Sequence, residues 1–235
     1  MYARTVNGEE LSFGVSGMLW RDNLVMYDRQ TESWWAQADG RAIHGPKRGA
    51  VLQQVPSDMM TWKQWRALHP ATRVLAPVAA RGTTRDAYAS YHRSRDVGVT
   101  GRTRRGGALD AKRLVVGFRL ERGAFAVPLD VVTKAGVLQA TAAGQTLVAV
   151  ALADGTSARV FLAGKDRFEE AGERDGRLLL RDIASSSLWD GFEGRAVSGP
   201  RKNERLMPVT AHVSYWFSWF SFYPDTTVLE KPVAQ

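Results

Sequence analysis

The chain has 235 residues with eight tryptophans, is 44% hydrophobic and carries a formal net charge of +8 at pH 7. This length is sufficient for one large domain or two small ones with a sizeable core, and the composition is that of an ordinary globular protein. Cysteine is absent, which excludes disulfides, thiolate metal sites and a cysteine nucleophile in this chain.

The first 75 residues predict short strands followed by one helix. Strands are expected at NLVMYD (23–28), at RAIHGP (41–46), where Gly-Pro ends the strand, and at AVLQQV (50–55). Thr61 is the expected N-cap of a helix, TWKQWRAL, that places its apolar side chains on one face. That face contains Trp62, Trp65 and Leu68, and core packing is its expected role.

The middle of the chain is strongly basic. Residues 92–113 hold seven Arg or Lys against two Asp, a net charge of +5 (7 − 2). A solvated linker is the expected structure, because the stretch is rich in glycine and lacks aromatic residues for base stacking. The weaker alternative is an anionic partner bound through Arg93, Arg95, Arg102, Arg104 and Arg105.

The second half predicts two hairpins and then the same order of elements as the first half. Strands and a short helical turn are expected at 113–120 and 123–132, and further strands at 146–152 and 157–163, with a turn at Asp154-Gly155. The later elements are strands at 177–182, 195–200 and 204–209 and a helix capped by Ser214. Its apolar face contains Trp216, Trp219, Phe220 and Tyr223.

A shift of 154 positions aligns the two halves. Between Asp28 and Leu75 it gives 16 identities in 48 gapless positions, among them Gly40-Arg41-Ala42 on Gly194-Arg195-Ala196. The sequence therefore predicts an α+β fold, predominantly β, with two related lobes from an internal duplication, each with short strands and one short aromatic-faced helix. The predicted divisions are a first lobe (1–80), a basic linker (81–113) and a second lobe (114–235), together forming one compact domain.

The first lobe is expected to be N-terminally incomplete. The strand that begins at 114 in the second copy has its counterpart at 114 − 154 = −40, so roughly 40 to 50 residues of a full repeat are expected upstream. A lobe without them should expose a sheet edge or an apolar face. Marginal stability or a homo-oligomer is the expected result.

Three segments resemble domain-of-unknown-function family 3179. They are FGVSGMLWRDNLVMYDRQTESWWAQ (13–37), the helix start TWKQW (61–65) and YWFSWFSFYPDT (215–226). The resemblance implies that longer relatives carry, before FGVSG, a His-Glu stretch and a CPxC segment suited to soft metals or redox chemistry. It also implies an envelope or extracellular setting. In this chain no signal peptide is visible, and the longest apolar run (213–223) is shorter than the about 20 residues of a membrane span.

The candidate cleft residues come from the polar segment MYDRQTES and two positions outside it. They are Met26, Tyr27, Asp28, Arg29, Thr31, Ser33, Gln37 and His212. Asp28 and the Ser/Thr turn have a structural alternative, since both copies keep them. No histidine has metal-ligand spacing, so no metal site is predicted.

Two functions follow. The first is a non-catalytic binding or structural domain, favoured because no phosphate loop, nucleophile elbow or hydrolase triad is recognisable. The alternative is a metal-binding or redox enzyme-like domain whose key residues lie partly upstream. Cofactor, substrate and partner stay undetermined by the sequence, as does whether the chain is an enzyme.

Overall fold

The computed structural model describes residues 1–75, 88–100, 103 and 106–230. Within these ranges the chain forms many short strands and a few short helices, which confirms the predicted α+β, predominantly β, fold class. No helix in the described ranges is both long enough and apolar enough to cross a membrane. The internal duplication stays a prediction, and the two halves are compared below element by element.

The first half is built around one antiparallel sheet. A small ribbon of β1 (Thr5–Val6) and β2 (Glu9–Glu10) precedes a four-stranded sheet in the order β3-β4-β5-β6. These strands are β3 (Phe13–Trp20), β4 (Asn23–Asp28), β5 (Trp34–Ala36) and β6 (Ala42–His44). Trp35 lies at the centre of this half's core with Val6, Leu11, Ala42 and Leu52.

Helix α1 (Trp62–Leu68) follows, with Thr61 as its N-cap, as predicted. The predicted strand at 50–55 is wrong, because this segment makes only isolated bridges, Arg41 to Val51 and Tyr2 to Gln54. The predicted core role of the α1 face is also wrong: Trp62 and Trp65 are 50% and 38% exposed, and no residue of the helix is buried.

The second half contains three four-stranded sheets, in the orders β17-β7-β8-β18, β16-β11-β10-β9 and β12-β13-β14-β15. After α2 (Ala89–Arg93), the elements are β7 (Leu114–Leu120), β8 (Gly123–Pro128), α3 (Leu129–Ala135), β9 (Val137–Ala142), β10 (Gln145–Ala151), β11 (Ala158–Leu162), β12 (Phe168–Arg174), β13 (Arg177–Asp182), β14 (Leu188–Asp190), β15 (Arg195–Ser198), β16 (Met207–Val209), β17 (Ala211–Tyr215), α4 (Trp216–Phe222) and β18 (Thr227–Val228). Both predicted hairpins are present. Their apolar faces form the largest core cluster together with α3.

Helix α4 begins one residue later than predicted. Its N-cap is Tyr215, without a side-chain capping bond, and not Ser214. The reason is that β17 continues to Tyr215, so Ser214 lies inside a strand opposite Val115. The predicted aromatic face is buried here: Trp216 and Trp219 are 1% and 3% exposed.

Candidate functional site

The segment MYDRQTES forms a closed hydrogen-bonded turn at the end of β4. The Asp28 carboxylate, which is fully buried, accepts bonds from Trp35 Nε1 (2.8 Å), the Thr31 amide (2.6 Å) and Thr31 Oγ1 (2.8 Å). Ser33 Oγ accepts from the Lys47 amide at 3.0 Å and contacts Thr31 Oγ1 at 2.7 Å. Burial favours the neutral acid, but the bonds from Trp35 and Thr31 outweigh it and lower the pKa of Asp28.

The same turn occurs at the end of β13. Buried Asp182 accepts from Ser185 Oγ at 2.5 Å and from the Ala184 amide at 3.0 Å. Arg201 replaces the tryptophan as a donor: its Nη1 lies 2.9 Å from Asp182 Oδ2, while Trp189 Nε1 has no hydrogen-bond partner. All oxygens of Asp28 and Ser33 are therefore engaged in a turn that the chain uses twice, and such a turn stabilises the strand connection.

Met26, Tyr27 and Arg29 lie around this turn and not in a cavity. Met26 packs on the core cluster of the first sheet. The Tyr27 ring lies against Gly14, where a Cβ would come within 2.5 Å of its Cζ, and its hydroxyl accepts a 3.3 Å bond from Arg29 Nη1. Arg29 itself is exposed.

Two predicted residues, Gln37 and His212, do share a cleft, of about 260 Å³. It lies between the end of the first sheet and the β17–α4 segment. Gln37 follows β5, and His212 lies on β17 opposite Gly117. The other lining residues are Met1, Tyr2, Asn23, Ala38, Gln54, Val213, Ser214, Ser218, Trp219, Phe222 and Tyr223.

The cleft contains two buried polar atoms without a hydrogen-bond partner. They are Asn23 Oδ1 of β4 and Ser214 Oγ of β17; both residues belong to the lining, and both oxygens are closed to solvent. A buried polar atom left unpaired costs about 1–3 kcal/mol, so native proteins rarely keep one without a reason. Two such atoms among its lining residues make this cleft the candidate site.

His212 is positioned by ring packing. Its ring lies 5.3 Å from that of Trp219, tilted by 60°, and it makes no hydrogen bond to any described residue. Burial, and secondly the N-terminal amine, lower the pKa of His212, which favours the neutral imidazole at neutral pH. The same side chain also lines a second cavity of about 220 Å³ on its other side, where Asp58 and Arg159 form a 2.9 Å ion pair.

Two phenols form the end of the cleft. The Tyr2 hydroxyl donates a 2.9 Å bond to the Ala38 carbonyl. Burial raises the pKa of both Tyr2 and Tyr223, so both stay neutral donors. Beyond Tyr223 the cleft opens into a wider groove whose charged side chains are Arg21, Arg41, Arg119, Arg122, Asp39, Glu121 and Asp225.

Two further predictions concern charges and metals. Arg93 ends α2 and Arg95 lines a shallow hollow with Asp110 and Lys112, whereas Arg102, Arg104 and Arg105 lie outside the described residues. In the described part of the chain, no three His, Asp or Glu side chains come together as a metal site would require. The anionic-partner and metal or redox hypotheses both stay predictions.

Comparison with models of known protein families shows which family the chain belongs to. A family model described as "Protein of unknown function (DUF3179)" matches residues 1–226. The chain belongs to the DUF3179 family. This confirms the resemblance in the sequence, while the expected upstream half-repeat stays a prediction. No curated protein and no solved structure matches this DUF3179 chain.

Sequence reasoning missed several cleft residues of the DUF3179 chain. Asn23 and Ser214 sit in ordinary strand sequence, and only the meeting of β4 with β17 gives them a common cleft. One signal was present in the sequence: the shift of 154 aligns Ser214 with Met60 and His212 with Asp58. Both positions differ between the copies, as does Arg29, which lies outside the cleft, so this signal alone does not select the cleft residues.

Proposed function

We propose that this chain is a non-catalytic binding domain that holds a small neutral, polar ligand in the cleft between Asn23 and Ser214. The observation that carries the proposal is the pair of buried, unpartnered oxygens in two residues of the cleft lining. Asn23 Oδ1 requires a donor, and Ser214 Oγ takes either a donor or an acceptor. A ligand with hydroxyl or amide groups satisfies both.

The side chains of the lining support a neutral ligand. Those of the described residues carry no formal charge, since His212 is favoured as the neutral imidazole, and the cation near His212 is the N-terminal amine of Met1. Amides, hydroxyls and phenols alternate with the apolar surfaces of Trp219 and Phe222. A volume of about 260 Å³ is at the small end for ligand sites, which suits a compound of monosaccharide size.

The geometry supports binding more than catalysis. A nucleophile needs a base within hydrogen-bond reach, and the base needs a third group that orients it. His212 has neither partner among the described residues; its ring lies 5.3 Å from that of Trp219 with a tilt of 60°. Groups arranged in this way can orient a ligand by hydrogen bonds, and among the described lining residues no base is oriented by a third group.

The test is a ligand titration followed by NMR, with neutral sugars and amides as probes and glucuronate and glucosamine as charged counterparts. We expect a neutral probe to shift the resonances of Asn23 and Ser214, and Ser214→Ala to weaken its binding about tenfold, which corresponds to about 1.4 kcal/mol. Ser16→Ala is the matched control, because Ser16 Oγ donates to the Val25 carbonyl outside the cleft. Charged probes binding better than neutral ones, or Ser214→Ala binding like wild type, would contradict the proposal.

A further inference from the structure

Helices α1 and α4 have the same construction. The N-cap residues Thr61 and Tyr215 have φ/ψ of −68°/151° and −67°/144°, and the C-cap residues also agree, at −132°/68° and −129°/71°. In each helix the second tryptophan donates its indole N–H over 2.8 Å to a threonine seven residues later, Trp65 to Thr72 and Trp219 to Thr226. The two helices are therefore directly comparable.

Within the described residues, a sheet lies under the tryptophan face of α4 and none lies under that of α1. Trp216 and Trp219 are almost fully buried in a cluster with Val115 of β7 and Ala126 of β8. Gly117 of β7 lies directly under Trp219, where a Cβ would stand 2.5 Å from Cζ3 of the ring and closer still to Cε3. The corresponding rings of α1, Trp62 and Trp65, are 50% and 38% exposed.

The two segments on either side of α1 correspond in sequence to the two strands that border the β7–β8 hairpin in the second half. There β17 and β18 pair with the two sides of the β7–β8 hairpin, in the order β17-β7-β8-β18. The shift of 154 maps β17 to residues 57–61 and β18 to residues 73–74, and neither segment lies in a strand. Val74 and the next residue, Leu75, are 68% and 95% exposed.

The backbone amides at the start of α1 also lack the hydrogen-bond acceptors that those of α4 have. At the start of α4, the amides of Trp216 and Phe217 donate to the carbonyls of Arg113 and Ala111, in the chain that enters β7. The corresponding amides of Trp62 and Lys63 make no hydrogen bond to a described residue. Helix starts satisfy these donors with caps, water or a neighbouring chain.

The exposed face is also rigidly held. Asp154 of the second half accepts bonds from the Thr61 hydroxyl (2.8 Å) and the Thr61 amide (3.2 Å), which anchors the start of α1. The Trp65 ring is fixed by its bond to Thr72 and by the His69 ring, 4.3 Å away. A preorganised apolar face loses little conformational entropy on binding.

We propose that this face, formed by Trp62, Trp65 and the segments 57–61 and 73–75, takes up an antiparallel β-hairpin from a partner protein. The hairpin adds between the two segments as a β-strand pair, and a glycine of its first strand lies under Trp65 as Gly117 lies under Trp219. This surface is separate from the cleft, so the inference extends beyond the proposed ligand binding.

A second copy of the chain fits this surface less well. Its own β7–β8 hairpin is already covered by its α4. Packing of one α1 face on another would rely on apolar area alone: Trp62 and Trp65 together expose roughly 200 Å², and Val74 and Leu75 of the same face add an area of similar size. Each partner of a stable dimer buries about 800 Å². A hairpin gains affinity from main-chain hydrogen bonds in addition to apolar contact, as in other strand additions.

The test uses a cyclised peptide of residues 113–128, RLVVGFRLERGAFAVP, as the hairpin probe and the full chain as the receptor. We expect a blue shift of tryptophan emission and NMR shifts confined to residues 57–75. Trp65→Ala should weaken binding about tenfold or more. The matched control is Trp34→Ala, because Trp34 is 39% exposed on the first sheet and should leave the affinity unchanged.

The same peptide with valine in place of Gly117 should not bind, because a side chain at this position would meet the ring of Trp65. The proposal is overturned if the wild-type peptide does not bind, or if Trp65→Ala or the valine peptide binds equally well. It is also overturned if sedimentation shows a dimer that Trp62→Ala and Trp65→Ala abolish, since a second copy would then cover the face.

Discussion

Replacing Gly117 by alanine tests how closely α4 packs on its sheet. The new Cβ would stand 2.5 Å from Trp219 Cζ3 and 2.6 Å from Cδ2, whereas carbon atoms in contact prefer about 3.5–4.0 Å. The ring must therefore retreat by about 1 Å. Trp219 is 3% exposed and its Nε1 donates to Thr226 over 2.8 Å, so the movement strains the core and weakens that bond. We expect a loss of about 2–4 kcal/mol in the free energy of unfolding.

Urea denaturation followed by far-UV circular dichroism measures this loss. Gly117 does not have a positive φ, so alanine adds no backbone strain and the effect is purely steric. The double mutant with Trp219→Phe provides the control, because a smaller ring leaves room for the Cβ and should recover part of the loss. Additive effects of the two substitutions, or a Gly117→Ala protein within about 0.5 kcal/mol of wild type, would refute the close packing.

Three further substitutions test the anchoring side chains. Burial would raise the pKa of Asp22, but hydrogen bonds from Thr103, Thr100 and Val99 outweigh burial and lower this pKa to about 2. Because the folded-state pKa is depressed, the stabilisation is present above pH 3.8 and is lost as the pH falls towards about 2. Acid titration of Asp22→Asn should lack that loss. Asp28→Ala leaves buried Trp35 Nε1 without its acceptor and should cost about 2–4 kcal/mol in urea; a cost under about 1 kcal/mol would show that the turn is dispensable. Thr61→Ala removes the N-cap of α1 and should lower the melting temperature through a loss of about 1 kcal/mol, with no change expected if α1 is held by packing alone.

Much of the fold follows from sequence because the patterns are local. Alternating apolar residues and turn glycines gave the strands at 114–120, 145–151 and 177–182, and Thr61 gave the start of α1. The error at Ser214 has a physical cause: a serine before an aromatic helix is a good cap, but here the strand pairing with Val115 extends past it. Pairing between distant segments overrides a local capping preference.

The site was harder to predict for the same reason. Gln37 and His212 were both selected from the sequence, yet 175 positions (212 − 37) separate them, and only the fold places both in the lining of one cleft. Asp28 was selected because it lies in a cluster of polar residues, but its carboxylate oxygens accept hydrogen bonds inside the turn. Polarity in a sequence does not distinguish an engaged carboxylate from a free one.

The contacts between the halves are reciprocal. Helix α1 is anchored by Asp154 of the second half, and the last turn of α4 is held from the first half, where Arg21 Nη1 donates over 2.6 Å to the Ser221 carbonyl. Trp20 also packs edge-on against Phe222, 5.5 Å away. Each half thus adds contacts to the other half's helix, while the buried residues of each apolar cluster lie within one half. Two fragments cut between residues 75 and 114 should therefore each keep their own sheets and rejoin through these helix contacts when mixed, as in fragment complementation.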